Sequence, residues 1–214
     1  PLTLCRRLME RGKRGEIQRV RIDHPASGVS WTEPWMQGVF ELHDNYATPP
    51  NRDACHAGRM EYLPVSMWRA DELPPGFDGE FDVFLVPVSP PDARGYSSFG
   101  PGVWMSPQMA RAAKLVIAEV QEDFIRTYGA NYIHMDAIDL FVAGEDAPGG
   151  QAAPAPPSEE EKAAVEAICT QVAVELINDG DTLQMGVGTV SASLGHFLDF
   201  RNDRNFVRRQ GFRD

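Results

Sequence analysis

Leu2, Leu4, Cys5 and Leu8 recur at helical spacing, so the chain opens in an amphipathic helix that Gly12 and Gly15 should stop. Ile17, Val20 and Ile22 then read as a short strand. Residues 23–80 are rich in Pro, Gly, Trp and His and show little periodicity. They read as a long irregular excursion with short helices, more functional than linker-like. FDVFLVPVSP (81–90) is a near-continuous apolar run of β-branched and aromatic residues, the pattern of a buried parallel strand. A loop rich in Gly and Pro follows, then a helix over about Ser106–Ala113. KLVIAEV (114–120) reads as a second buried strand, and IDLFVAG (138–144) is the third strand of the pattern. The order strand, loop, helix, strand indicates an α/β fold with a parallel-rich sheet.

Pro, Gly and Ala dominate residues 145–158, which read as a semi-stiff linker. Ser158 and Glu161 then form a capping-box pair, and Glu159 and Glu160 complement the helix dipole. Val165, Ile168, Cys169, Val172 and Leu176 make one apolar stripe, with Gly180 as the expected stop. DTLQMGVGTVSASLGHFLDF (181–200) predicts strand, glycine turn and helix. The pattern thus divides the chain into a first α/β domain (1–144), a linker (145–158) and the beginning of a second domain (159–214).

Composition narrows the function. The 214 residues carry a net charge of −11. The charge is uneven: residues 1–22 are locally +5 and residues 201–214 locally +3, leaving the body near −19. An acidic body repels phosphodiester backbones, which argues against a nucleic-acid binder. Cys5, Cys55 and Cys169 are odd in number and widely spaced, which excludes a disulfide framework and a structural zinc site. The five histidines show no HxxxH or HxH spacing, so no metal site is expected. No apolar run reaches the roughly 18 residues of a membrane span, and no signal core opens the chain. The default location is cytoplasmic. The opening lacks Met and lies inside an element, so a further segment is expected upstream of Pro1.

Two glycine-bearing loops are the candidates for chemistry. Gly186, Val187 and Gly188 close a strand and open a helix, where exposed amides suit an anion or a developing oxyanion. Ser191 stands where a dinucleotide fingerprint needs a third glycine, which disfavours an NAD(P) oxidoreductase. Ser191 and Ser193 form no GxSxG elbow, so serine hydrolysis has no support. The second loop, Ser89–Gly100, sits at the carboxyl end of a buried strand, the usual ligand crevice of open α/β sheets. Pro91 and Asp92 set a turn there, Gly95 and Gly100 permit unusual backbone angles, and Ser97 and Ser98 offer hydroxyls. Each loop also reads as an ordinary tight turn.

FDVFLVPVSPPDARGYSSFGPG, KLVIAEVQEDFIRTYGANYIHMDAIDLFVAG, an acidic helix and DGDTLQMGVGTVSASLGHFLDFRND occur in that order. Together they closely resemble the acetyl-CoA hydrolase/transferase family, which includes 4-hydroxybutyrate and acetate CoA-transferases. The resemblance covers roughly residues 55–203 and is expected to reach back to the first helix. It implies two similar α/β domains and a glutamate that attacks an acyl-CoA thioester, passing through an anhydride to a glutamyl-CoA thioester. It assigns Gly186, Val187 and Gly188 to the glycine loop near the thioester. It assigns Gly95, Tyr96, Ser97 and Gly100 to the first-domain loop bordering the site. It implies no permanently bound cofactor, with coenzyme A and acyl-CoA as substrate, a small carboxylate as acceptor, and a homo- or hetero-oligomer.

The sequence also departs from the family. There, an RND segment is followed by a Gly-Ile-His-Thr/Ser-Glu motif bearing the nucleophile. Here Arg201-Asn202-Asp203 is followed by RNFVRRQGFRD, and no glutamate follows Glu175. The expectation is a part or subunit of a CoA-transferase or thioester hydrolase, inactive alone, whose glutamate comes from a missing segment or partner chain. The alternative is a non-catalytic acyl-CoA-binding or scaffolding subunit. Residues 23–80, where bulky side chains cluster, are expected to set substrate selectivity.

Overall fold

A computed structural model describes residues 1–23, 29–47, 51–64, 81–145, 158–186 and 188–201. The chain divides into two compact units, Pro1–Ala153 and Pro154–Asp214.

The first unit opens with helix α1 (Leu2–Lys13). Gly12 does not stop this helix; it lies inside it, where a Cβ would meet the Phe40 ring and Val39 at 2.9 Å. The glycine therefore lets α1 approach the chain at close range. Gly15, at φ +72, supplies the left-handed turn that follows. Strand β1 (Val20–Asp23) pairs in parallel with β2 (Phe40–Asp44), and β2 with β3 (Glu61–Tyr62). A helix α2 (Arg52–His56) precedes β3. The expected strand is β1, and the expected irregular excursion contributes two more strands, β2 and β3, to a three-stranded parallel sheet. Its strands are too short to print a period: β2 alternates buried and exposed over five residues, and β3 has only two. Cys5, Trp31, Met36, Phe40, Leu42 and Met60 form the core beneath it, with Trp31 edge-on to Phe40 at 5.2 Å. Trp35 lies at its margin and Trp68 outside the described residues.

A second parallel sheet has the order β4 (Phe81–Val88), β6 (Ala113–Val120), β8 (Leu140–Ala143). Helix α3 (Ser106–Ala112) leads into β6. Two short antiparallel strands, β5 (Tyr96–Ser98) and β7 (Tyr132–His134), flank it in sequence. The apolar runs do mark the three strands, but burial is graded: β8 is mostly exposed, with Leu140 and Phe141 open to solvent. Phe81 to Val83 are largely accessible, whereas Val86 and Val88 are buried, as are Val116 and Ala118. The core, completed by Phe99, Ile133 and Ile138, lies toward the carboxyl half of the sheet. Registers align Val88 with Val120 and Val120 with Ala143. Ser89, Gln121 and Gly144 therefore step off one common edge.

The second unit contains α4 (Glu159–Gln171) and α5 (Thr189–Arg201). The capping box is present: Glu161 N donates to Ser158 Oγ at 3.2 Å and Ser158 N to Glu161 Oε2 at 2.7 Å. A wide turn of π geometry, Val172–Leu176, follows α4 directly. The expected stripe is buried only in part: Cys169 and, off the stripe, Ala173 are buried, while Ile168 within α4 and Leu176 at the end of the turn are exposed. Gly180, at φ +90, comes three residues after the C-cap Ile177 and turns the chain over Asn178–Asp181 instead of capping the helix. The strand expected at residues 181–185 is absent. A strand exists through its ladder, and no described segment pairs with this one.

Candidate active site

The loop leaving β4 is built around Asp92. Asp92 Oδ1 accepts from the amides of Arg94 and Tyr96, both at 2.9 Å. Asp92 N donates to Tyr96 O and Gly95 N to Asp92 O, each at 2.9 Å. The Tyr96 amide above all, then Arg94 and the nearby Arg126 guanidinium, hold the Asp92 carboxyl below the usual carboxylate range. Gly95 takes φ +82, and a Cβ there would meet His134 Nε2 at 2.9 Å. Gly100 takes φ +69, and a Cβ there would fall 2.4 Å from the Phe124 ring. Both glycines are required by the path of the backbone. Tyr96 projects outward and stacks edge-on against His134 at 4.8 Å. Ser97, next along β5, is buried, and its hydroxyl has no hydrogen-bond partner.

Several residues that spacing did not single out complete this region. Arg126 Nη1 donates to Ser89 Oγ and Pro90 O, each at 2.8 Å, and Nη2 donates to Tyr96 O at 3.1 Å. Its guanidinium also lies 5.5 Å from the Tyr132 ring. One planar fork thereby ties both limbs of the loop together. Ser98 Oγ accepts from the amides of Gly100 and Thr127. Asn131 Nδ2 and Thr127 Oγ1 both donate to Gly100 O at 3.1 Å.

On the same sheet edge, Glu119 is fully buried. Its Oε2 accepts from Leu4 N in the first turn of α1 at 2.9 Å, where the helix dipole favours a carboxylate. Its Oε1 accepts from Gln121 Nε2 at 3.0 Å. A charged residue inside the apolar run KLVIAEVQ was the available signal, because glutamate is rarely buried without partners. Gly144 closes the edge: a Cβ would lie 3.0 Å from Val120 O and 3.1 Å from Gln121 Cγ.

The second loop lies in the other unit. Gly186 is exposed, and a Cβ there would lie 3.4 Å from Ser191 Oγ. Gly188, at φ +149, immediately precedes α5, and Ala192 N donates to Gly188 O at 2.9 Å. The glycine turn thus opens a helix as its sequence suggests; Val187 lies outside the described residues. His196 is exposed on α5. Among the described residues no group of three His, Cys, Asp or Glu side chains could hold a metal, and no helix is long and apolar enough to cross a membrane.

Comparison with known proteins places this architecture. The profile of the acetyl-CoA hydrolase/transferase N-terminal domain matches residues 10–148, reaching further toward the start than the motifs did. The chain is 34% identical over 175 residues to 4-hydroxybutyrate coenzyme A transferase of Clostridium kluyveri, covering 82% of this chain and 39% of that protein. It is 32% identical over 206 residues to succinyl-CoA:acetate/propanoyl-CoA:succinate CoA transferase of Fasciola hepatica, covering 94% and 41%. Among solved structures, RipA from Yersinia pestis superposes with a TM-score of 0.73 at 27% identity, covering 89% of this chain and 46% of RipA. The 4-hydroxybutyrate CoA-transferase of Porphyromonas gingivalis shares the fold, with a TM-score of 0.59 over 87% of this chain and 42% of that one. The chain spans about two fifths of the length of these curated relatives. With more than half of its residues matched by the domain profile, the chain belongs to the acetyl-CoA hydrolase/transferase family.

Proposed function

We propose that this chain is the thioester-facing part of an acyl-CoA:carboxylate CoA-transferase, or of an acyl-CoA hydrolase. The observation that carries the reading is the family match over residues 10–148, which spans the whole β4–β8 sheet and its loops. A glutamate outside residues 1–214 attacks the acyl-CoA carbonyl. The C–S bond breaks, leaving an acyl–glutamyl anhydride and CoA thiolate. The thiolate then attacks the glutamyl carbonyl and expels the carboxylate, giving glutamyl-CoA. A second carboxylate repeats the sequence in reverse, or water hydrolyses the thioester. Within this scheme the amides at Gly186–Gly188 meet the developing oxyanion. The loop of Gly95, Tyr96, Ser97 and Gly100 borders the thioester, with Arg126 holding its shape. A cytoplasmic setting, an oligomeric assembly and the absence of a resident cofactor belong to the same reading.

The departure at Arg201-Asn202-Asp203 and the lack of any glutamate after Glu175 support an external nucleophile. The test takes the chain both extended through the reading frame after residue 214 and mixed with polypeptides encoded beside it, adds acyl-CoA and reads intact masses. A glutamyl-CoA adduct on the added segment or partner is expected. No adduct in any of these forms, or turnover-free acyl-CoA binding in all of them, would replace this reading with that of a non-catalytic binding subunit.

A further inference from the structure

Both apolar cores among the described residues lie in the first unit, one beneath β1–β3 and one along β4, β6 and β8. Among its described residues the second unit buries only Cys169, at 0% exposed, and Ala173, at 1%. Five of its large apolar side chains are open instead: Ile168, Leu176, Leu183, Met185 and Val190. A helix in a protein draws most of its stability from packing an apolar face. The helices α4 and α5 bury little of theirs, and something else is needed to cover this unit.

The segment between the two helices shows what kind of cover it takes. Asn178 N donates to Asp181 Oδ2 at 2.7 Å and Asp181 N to Asn178 O at 3.1 Å, with Gly180 at φ +90. That turn fixes where residues 182–186 begin. Gly188, at φ +149, and the first turn of α5 fix where they lead. Between these anchors residues 182–186 are exposed throughout. Among the described residues they make no backbone hydrogen bond. Leu183 and Met185 stand two positions apart, the spacing that puts side chains on one face of a strand. The segment thus has the period of a strand and lacks only a ladder.

An unpaired row of amides and carbonyls is a template for a strand from another chain. A helix precedes this segment and another follows it, the order of parallel sheets. The neighbour that fits is therefore a parallel strand with apolar side chains at alternate positions, matching Leu183 and Met185. The curated relatives are long enough to hold such a strand, since the matched stretch spans only 39% and 41% of them.

We propose that residues 182–186 are the docking edge for the polypeptide that brings the nucleophile, which adds a parallel strand there and covers Leu183 and Met185. The inference rests on the proposed function and deepens it by naming where that polypeptide attaches. Main-chain hydrogen bonds supply the affinity, and the alternate apolar side chains supply the choice of partner.

The test reads backbone amide hydrogen exchange by mass spectrometry in three forms. These are residues 1–214 alone, the chain extended through the reading frame after residue 214, and mixtures with each polypeptide encoded beside it. Amides 182–186 should exchange fast in the chain alone. They should slow at least tenfold in the form that also carries labelled acetate into acetyl-CoA. Gln184→Pro removes the central amide of the edge. That amide makes no bond in the chain alone, so the variant's own urea unfolding should match the wild type. Its protection in the active form should fall at least tenfold. Leu183→Glu keeps every amide and charges the apolar face, and protection should fall there too. Equal protection in wild type and both variants would overturn the inference. Amides 182–186 that stay fast in a form that transfers CoA would overturn it and leave the proposed function standing. Protection in a form that never transfers CoA would sink the proposed function and with it the partner named here. Protection of residues 1–214 alone that grows with concentration would overturn the inference in favour of a second copy at this edge.

Discussion

Gly100 and Gly129 both carry positive φ, yet only one of them is also crowded. Gly100→Ala adds a Cβ 2.4 Å from the Phe124 ring at φ +69. It should cost about 2–4 kcal/mol, strain and overpacking together. Gly129→Ala, at φ +98 with nothing within 4 Å, should cost about 1 kcal/mol from backbone strain alone. Urea unfolding of the two variants reads the difference directly. The Asp92 carboxyl gives a pH signature. Its folded-state pKa is lowered, foremost by the Tyr96 amide, so its contribution is complete above the ordinary carboxylate range and is lost as pH falls through the folded value. Urea midpoints of wild type and Asp92→Asn should therefore differ at neutral pH and converge in acid. The cysteines differ by burial. Burial pushes the Cys5 thiol up to about 11 and raises that of Cys169, so both stay protonated at neutral pH. Cys55 is only half-buried. Alkylation followed by peptide mapping should label Cys55 first.

The loop Ser89–Gly100 behaves as one element because a single guanidinium joins its limbs. Arg126→Lys cannot reproduce bonds to Ser89 Oγ, Pro90 O and Tyr96 O with one point charge. The variant should lose about 1–2 kcal/mol, and amide exchange at Tyr96 and Ser98 should quicken ahead of that in β6. Exchange that quickens equally throughout the sheet would show a global effect instead. Elements with long apolar runs were legible in the sequence: β4, β6, β8 and the capping box of α4 fall where pattern places them. Strand β1 falls at the short strand expected around Val20 and Ile22, but its partners β2 and β3 were not legible, because strands of two to five residues in a segment rich in Pro and Gly carry no readable period. The strand expected at residues 181–185 fails for the opposite reason. Its pattern is adequate, but no described segment pairs with it. The site was legible in part. Gly95, Tyr96, Ser97 and Gly100 announce themselves as turn and hydroxyl residues. Arg126 and Asn131 do not, because their pairings span 30 to 37 positions.

For the molecule as a whole, the charge map bears on the partners it can take. The acidic body near −19 still argues against a nucleic-acid partner. The basic residues of the opening helix pair with nearby carboxylates on exposed surface, Arg7 with Glu10 and Arg11 with Glu16. Such exposed pairs contribute little to stability. The central claim is that this chain carries part of a CoA-transfer site and receives its nucleophile from elsewhere. Isotope exchange tests it most directly, by following labelled acetate into acetyl-CoA with residues 1–214 alone, with the chain extended through the reading frame after residue 214, and with each polypeptide encoded beside it. The account predicts no exchange by residues 1–214 alone and exchange in one of the other forms, with CoA held on a glutamate of the added segment or polypeptide. Exchange by residues 1–214 unaided, or an adduct on any glutamate within them, would contradict it.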